Sequence, residues 1–287
     1  MKILVTGSKG QLGSEIGVLA PDFPGFKFTF IDLEDVDLGN ASSIRNYFAN
    51  NDFDLIINCA AYTAVDLAED NAELAFRVNG HCVGVMAQIA QEKNMRFIHV
   101  STDYVFSGES NKPIDETEQP APLSVYGKSK LEGEKELLNA LPNAYIIRTA
   151  WVYSSFGKNF VKTISNLARQ RTELGVVDDQ IGCPTYAADL ARAILTIAHG
   201  IFNQKDQPGI YHYSNEGVIS WYDFAYFIVQ YYKLPCNVKP IRTEDYKTKA
   251  IRPKFSLLSK KKIKDTFGVV IPHWHESLLK CLAKMEN

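Results

Sequence analysis

Short apolar runs alternate with longer amphipathic stretches through the first half of the chain. KILVTG (2–7), KFTFIDL (27–33), DLIINCAAYT (54–63), RFIHVSTDYVF (96–106) and AYIIRTAWVY (144–153) are rich in Ile, Val and Phe and end in polar or small residues. Such runs read as strands buried on both faces. Between them, residues 11–20, 41–50, 72–93 and 125–140 are helix candidates. Near-continuous apolar strands separated by helices predict an α/β fold, a doubly wound parallel sheet covered on both sides.

Beyond about residue 153 the pattern loosens. Loops are expected at 154–158, 178–185 and 203–209, and a Pro- and Lys-rich stretch begins near 235. The expected organisation is a sheet domain over 1–153 and a smaller C-terminal lobe over 154–287, with room for late segments to return to the sheet. A chain of 287 residues accommodates this division, and 46% apolar against 22% charged residues is the balance of a packed protein.

Net charge of -2 argues against a sequence-independent grip on nucleic acid, which needs a broad positive surface, and favours small-molecule partners. The longest apolar run, near LIINCAAYTAV, falls well short of the roughly 20 residues that cross a bilayer. MKILVTG lacks the long apolar segment of a secretory signal. Five cysteines without C-x-x-C spacing fit isolated thiols in a reducing cytoplasm. His273 and His275 form the one close histidine pair, which a Pro-led turn explains better than a metal site.

Ligands of open parallel sheets bind beyond the carboxyl ends of the strands. The first such end is TGSKGQLG, with Gly7, Gly10 and Gly13 between a strand and a helix. Glycine lets a phosphate approach the backbone, and the helix behind offers free N–H groups. A dinucleotide diphosphate fits this context, although three glycines also suit a plain tight turn. Asp32 closes the second run 19 residues after Gly13, where a carboxylate would hold an adenine ribose. An acid there repels a 2′-phosphate and favours NADH over NADPH unless Lys9 compensates, so both cofactors stay open.

In VYGKSKLEGEKEL, Tyr126 and Lys130 stand four residues apart, one turn along a helix. A neighbouring ammonium would lower the phenol pKa and make a proton donor for the alkoxide that hydride transfer creates. With 14 tyrosines, about one Tyr-x-x-x-Lys arises by chance, so the spacing needs company. It has company in STDYVF, where Thr102 ends a strand with a hydroxyl able to hold a substrate oxygen. A plain turn-capping role for Thr102 and Asp103 is the alternative.

With these segments the chain resembles the extended short-chain dehydrogenase/reductase family, and most closely its dTDP-4-dehydrorhamnose reductase branch. AAYTAVDLAE, STDYVF, APLSVYGKSKLEGE, RTAWVY, NFVKTI, VVDDQIGCPTYA and RPKFSLL look like that branch's segments in its order, from residue 2 to about 280. The resemblance implies a Rossmann-type dinucleotide-binding domain followed by a substrate-binding lobe. Tyr126 would be proton donor, Lys130 its partner and a ribose ligand, and Thr102 the holder of the substrate carbonyl. Asp103 and Trp151 would contact the sugar. Gly10, Gln11, Leu12, Asp32, Asp37, Leu38, Ala61, Tyr62 and Thr63 would line the dinucleotide. Hydride from NADPH or NADH would reach C4 of a dTDP-linked keto sugar. Some members form Mg²⁺-assisted dimers, so a homodimer is an expected assembly, yet no compact carboxylate cluster in the sequence calls for the ion.

Ser259 follows Leu258 where Asp is frequent in the branch, and Ala150 stands where Ser is frequent; neither removes a reacting group. The run from Lys247 to Lys264 is either a solvated basic face or a contact for a nucleotide-sugar diphosphate, with Arg252 as the first choice because Arg grips phosphate bidentately. Two rivals remain: a reductase of another nucleotide-linked 4-keto sugar, and a non-catalytic regulatory subunit of the methionine adenosyltransferase type. Intact Thr102, Tyr126, Lys130 and Trp151 favour an enzyme.

Overall fold

The computed structural model describes residues 1–203 and 206–286. Five strands follow the expected runs: β1 (Lys2–Thr6), β2 (Lys27–Ile31), β3 (Leu55–Asn58), β4 (Arg96–Thr102) and β5 (Tyr145–Thr149). A sixth, Gly209–Tyr213, joins them from far down the chain. Their order is β2, β1, β3, β4, β5 and Gly209–Tyr213, all parallel. The chain runs outward from β1 to β2 and then back past β1 to β3. That reversal opens a crevice at the carboxyl ends of β1 and β3, where such sheets bind ligands.

Alternation along each strand divides the core. Ile3, Val5, Leu55, Ile57, Ile98 and Ile147 face the helices α1 (Gln11–Leu19) and Ala187–Phe202. Leu4, Ile56, Phe97 and Ile146 face Ala41–Ala49 and Cys82–Glu92 on the other side. Burial on both faces makes the runs continuously apolar, and each such side chain contributes about 1.5–3 kcal/mol.

The helix expected over 72–93 is divided. Ala72–Phe76 and Cys82–Glu92 are α-helical, and Arg77–His81 forms one wide π-turn. The turn sets the buried Asn79 against the Val125–Ala140 helix, where a side chain on Gly133 would clash with the Asn79 carbonyl. Ser124 caps that helix by accepting from Gly127 N at 3.1 Å.

A separate core forms after residue 150, in which Tyr153, Val161, Ile164, Phe224, Ile228 and Leu278 meet between the helices Phe160–Gln170, Trp221–Tyr231 and Trp274–Glu286. Residues beyond 153 also serve the sheet: Ala187–Phe202 covers it and Gly209–Tyr213 extends it. Residues 204 and 205 of the expected 203–209 loop lie outside the described residues. All five cysteines are free thiols. Among the described residues, no helix is long and apolar enough to cross a membrane, and no three His, Cys, Asp or Glu side chains group as a metal site.

Candidate active site

At the end of β1 the chain turns through Gly7 with φ +63°, a conformation that disfavours any side chain. A Cβ there would also lie 2.8 Å from the Ala60 backbone at the end of β3. Gly10 begins α1 with no side-chain cap, leaving the helix start bare toward the crevice. Gly13 has a different task from the expected cofactor contact. It is absent from the cleft lining, and any Cβ on it would collide with the Gly7 carbonyl oxygen, so it lets α1 pack beneath the turn.

The cleft has a volume of about 910 Å³, room for a nucleotide-sized ligand pair. Near the glycine turn it is lined by Gly7, Gly10, Gln11, Leu12, Asp32, Asp37, Leu38, Ala61, Tyr62 and Thr63. Thr102, Asp103, Tyr126, Lys130, Trp151 and Arg252 also line it. The fold thus gathers every expected site residue except Gly13. A smaller depression of about 310 Å³ lies around Met1, Lys27 and Asp54, at the amino ends of the strands.

The Asp32 carboxylate accepts from Lys9 N and Leu33 N, both at 2.8 Å, tying the glycine turn to the end of β2. The Lys9 ammonium pairs with Glu34 at 2.9 Å. At the end of β3, Tyr62 N donates to Asn79 Oδ1 at 2.8 Å. Asn79 Nδ2 in turn donates to Tyr62 O and Ser129 Oγ, each at 3.0 Å. The turn containing Ala61, Tyr62 and Thr63 is therefore clasped to the helix that carries Tyr126 and Lys130.

On β4, Thr102 Oγ1 donates to Asp103 Oδ1 at 3.0 Å and accepts from Tyr104 N at 3.2 Å, so the turn-capping role and a place in the cleft coexist. Asp103 is 2% exposed. Burial pushes its carboxyl up to about 6, with the nearby Ser256 and Thr102 hydroxyls working against it, and its Oδ2 has no hydrogen-bond partner. Burial likewise raises the Tyr126 phenol well above its ordinary value, with the Thr102 hydroxyl working against it and Asp103 adding to it. The expected lowering by Lys130 is not seen. Lys130 turns to the sheet, donating to Val100 O at 2.8 Å and meeting His99 Nε2 at 3.2 Å. Burial takes Lys130 down to about 8, while the Glu134 carboxylate pulls it back. Desolvation outweighs the helical i, i+4 proximity here.

Two residues past the end of β5, Trp151 has φ +50°, unusual for a large side chain. Its ring stacks on Trp221 with centroids 3.8 Å apart, and both line the cleft. Arg252 donates to Tyr104 Oη at 3.0 Å and Asp66 Oδ2 at 2.7 Å, leaving its Nε without a partner. The rest of the basic run is dispersed. Lys249 pairs with Asp70, Lys260 and Lys264 with Glu216, and Lys261 with Asp265, so Arg252 is the member of the run that faces the cleft.

Four contributors escaped the sequence reading: Asn58, Asn79, His99 and Trp221. Asn58 and His99 had left a signal, each being a polar residue inside an apolar strand run. Asn79 and Trp221 left none, because their importance comes from partners distant in sequence.

Known proteins resemble this chain along its whole length. The model of the RmlD substrate binding domain family matches residues 1–287. A dTDP-4-dehydrorhamnose reductase of Aggregatibacter actinomycetemcomitans is 40% identical, over 96% of this chain and 97% of that one. The crystal structure of a dTDP-4-dehydrorhamnose reductase from Clostridium acetobutylicum superposes with a TM-score of 0.94 at 38% identity, covering 100% of both chains. A dTDP-4-dehydrorhamnose reductase from Bacillus anthracis, solved in complex with NADP, gives 0.92 at 35% identity over 99% of both. With that family model spanning residues 1–287 and relatives 40% identical over nearly the whole length, the chain belongs to the RmlD substrate binding domain family.

Proposed function

We propose that this protein reduces the C4 ketone of dTDP-4-dehydro-L-rhamnose to give dTDP-L-rhamnose, with NADPH as reductant. The observation that carries the reading is the convergence of Thr102, Tyr126 and Lys130 beside a glycine turn in one cleft. The side-chain-free approach at Gly7 and the uncapped start of α1 fit a dinucleotide diphosphate. NADPH is preferred to NADH because the B. anthracis relative was solved with NADP.

When bound, the nicotinamide supplies the hydride. The chain's own residues then manage the oxygen. Tyr126 Oη and, once its hydroxyl turns away from Asp103, Thr102 Oγ1 hold the ketone oxygen, and Tyr126 gives its proton to the alkoxide. Its raised pKa keeps the phenol protonated near neutrality, and an alkoxide is a stronger base than a phenolate, so the transfer still runs downhill. Lys130 orients the nicotinamide ribose and offsets the phenolate left behind. Trp151 and Asp103 bound the sugar, and Arg252, with a free Nε–H, meets the diphosphate.

In this reading residues 1–153 mainly hold the cofactor and 154–287 mainly the nucleotide sugar, although the sheet borrows 187–213. A cytoplasmic homodimer completes it: the free thiols suit a reducing compartment, and sedimentation in solution tests the assembly. The decisive assay follows loss of nicotinamide absorbance with dTDP-4-dehydrorhamnose supplied. Steady oxidation of NADPH is expected. Oxidation only with a different nucleotide keto sugar would move the substrate assignment, and none with any would end the enzymatic reading.

A further inference from the structure

A row of polar side chains crosses the sheet beneath the reacting groups and ends on Lys130, and neither the hydride step nor the cofactor fit uses its other members. The strand register sets Thr6 beside Asn58 and Asn58 beside His99. Thr6 Oγ1 lies 2.6 Å from Asn58 Oδ1, Asn58 Nδ2 lies 3.0 Å from His99 Nδ1, and His99 Nε2 lies 3.2 Å from Lys130 Nζ. All four residues are buried, His99 at 0% and Lys130 at 2% exposure. A polar group in such a place persists only if its hydrogen bonds are complete.

Proton counting restricts the row. Burial and the Lys130 charge hold His99 well below its ordinary pKa, so the imidazole is neutral, with one N–H and one lone pair. If Asn58 Nδ2 donates to Nδ1, the imidazole proton sits on Nε2 and must point at a lone pair. Lys130 offers one only as the neutral amine. If Lys130 is an ammonium, Nε2 accepts from it, Nδ1 carries the proton, and Asn58 must present its oxygen. A carboxamide's oxygen and nitrogen fill nearly the same space, so both arrangements fit the same heavy-atom positions.

We infer that His99, steered by Asn58 and Thr6, is a positioning residue whose tautomer changes with the charge of Lys130 and which holds the Lys130 nitrogen against β4 in both states. Lys130 gains or loses one proton to solvent, His99 keeps one throughout, and the Asn58 amide turns over. The other titratable groups near Lys130 are Glu134 and Tyr126 on its own helix and Cys59 at the end of β3. Burial raises the Cys59 thiol to about 12, so it stays neutral, and Glu134 favours the ammonium. With Lys130 itself near 8, both arrangements are populated within the working range. The inference rests on the reductase reading only in that Lys130 serves the reaction.

The direct test needs no substrate. In protein labelled with ¹⁵N-histidine, the ring nitrogen shifts of His99 are followed from pH 6.5 to 9.5. The expected result is a change from the Nδ1–H to the Nε2–H tautomer with a midpoint near 8, absent in Lys130→Met. One tautomer throughout, or an unchanged titration in Lys130→Met, overturns the inference. The kinetic test compares pH profiles of kcat/KM. His99→Gln keeps an acceptor at the Nε2 position and should retain the wild-type alkaline limb. His99→Asn leaves the ammonium without that acceptor, destabilises the charged form, and should move the limb down by about one pH unit, a tenfold equilibrium change typical of losing a hydrogen bond to a charge. Identical limbs in both variants refute it. A wild-type protein without turnover instead fails the reductase reading, and the tautomer measurement still decides this one.

Discussion

Asp103→Asn should make the protein more stable and less active, and the gain should depend on pH. In the wild type a carboxyl with an ordinary value of 3.8 is pushed to about 6 by burial. The folded state therefore binds this proton more tightly than the unfolded chain. Stability from this group is fully present below about 3.8 and is lost as pH rises through about 6. The shift of about two units corresponds to about 3 kcal/mol of destabilisation at pH 8. Asparagine removes the charge and can keep the bond from Thr102 at the Oδ1 position. Its amide would face the place where Oδ2 now has no partner, costing about 1–2 kcal/mol. A net gain of about 1–2 kcal/mol at pH 8 remains, readable as a melting temperature about 2–6 °C higher. At pH 5 the wild-type carboxyl is mostly protonated, so the gain should shrink or reverse. Thermal melts of both proteins at pH 8 and pH 5 test this. Equal or lower stability of the variant at pH 8, or an unchanged difference at pH 5, would refute the claim that Asp103 is held charged against its environment.

Three further outcomes are expected. Tyr126→Phe retains the ring and should bind NADPH within about twofold of wild type, by fluorescence titration, while kcat falls at least 10²-fold, the usual scale of a lost general acid; near-normal turnover would remove Tyr126 from the reaction. Arg252→Ala should raise KM for the nucleotide sugar and flatten its salt dependence with little change in NADPH affinity, and an unaltered KM with an unaltered salt response would separate Arg252 from the diphosphate. Arg148 and Glu134 form a buried bidentate pair, with bonds of 2.9 and 2.6 Å, between β5 and the catalytic helix. Arg148→Met alone should destabilise by about 3–5 kcal/mol in urea unfolding, and the double variant Arg148→Met with Glu134→Leu should recover much of that; equal losses in both would show that the pair's charge is not what matters.

Much of this architecture was legible because its determinants are local. A strand buried on both faces writes itself as an apolar run, and a diphosphate turn writes itself as glycines after such a run. The sixth strand was less legible: GIYHY (209–213) lies amid second-lobe segments, and only tertiary pairing with β5 places it in the sheet. The break at 77–81 was hidden because helical stretches flank it directly, and within it the side chain of Asn79 reaches Tyr62 and Ser129. At the reacting end, spacing placed Tyr126 and Lys130 on one helix correctly but misjudged their electrostatics. Sequence separation carries no information on desolvation, and here desolvation sets both pKa directions.

The corner at Trp151 has a consequence for redesign. One residue there both shapes the backbone, as the chain leaves β5 in a left-handed conformation, and supplies a wall of the cleft. Its indole also fills the space over Gly182, where a Cβ would lie 2.9 Å from the ring. Changing the wall at Trp151 therefore disturbs the path of the chain into the second lobe. Trp221, the outer partner of the stack, opens an ordinary helix with its cap intact at Ser220 and Asp223. Libraries aimed at accepting differently substituted sugars should begin at Trp221, where the pocket can be reshaped while the scaffold stays fixed.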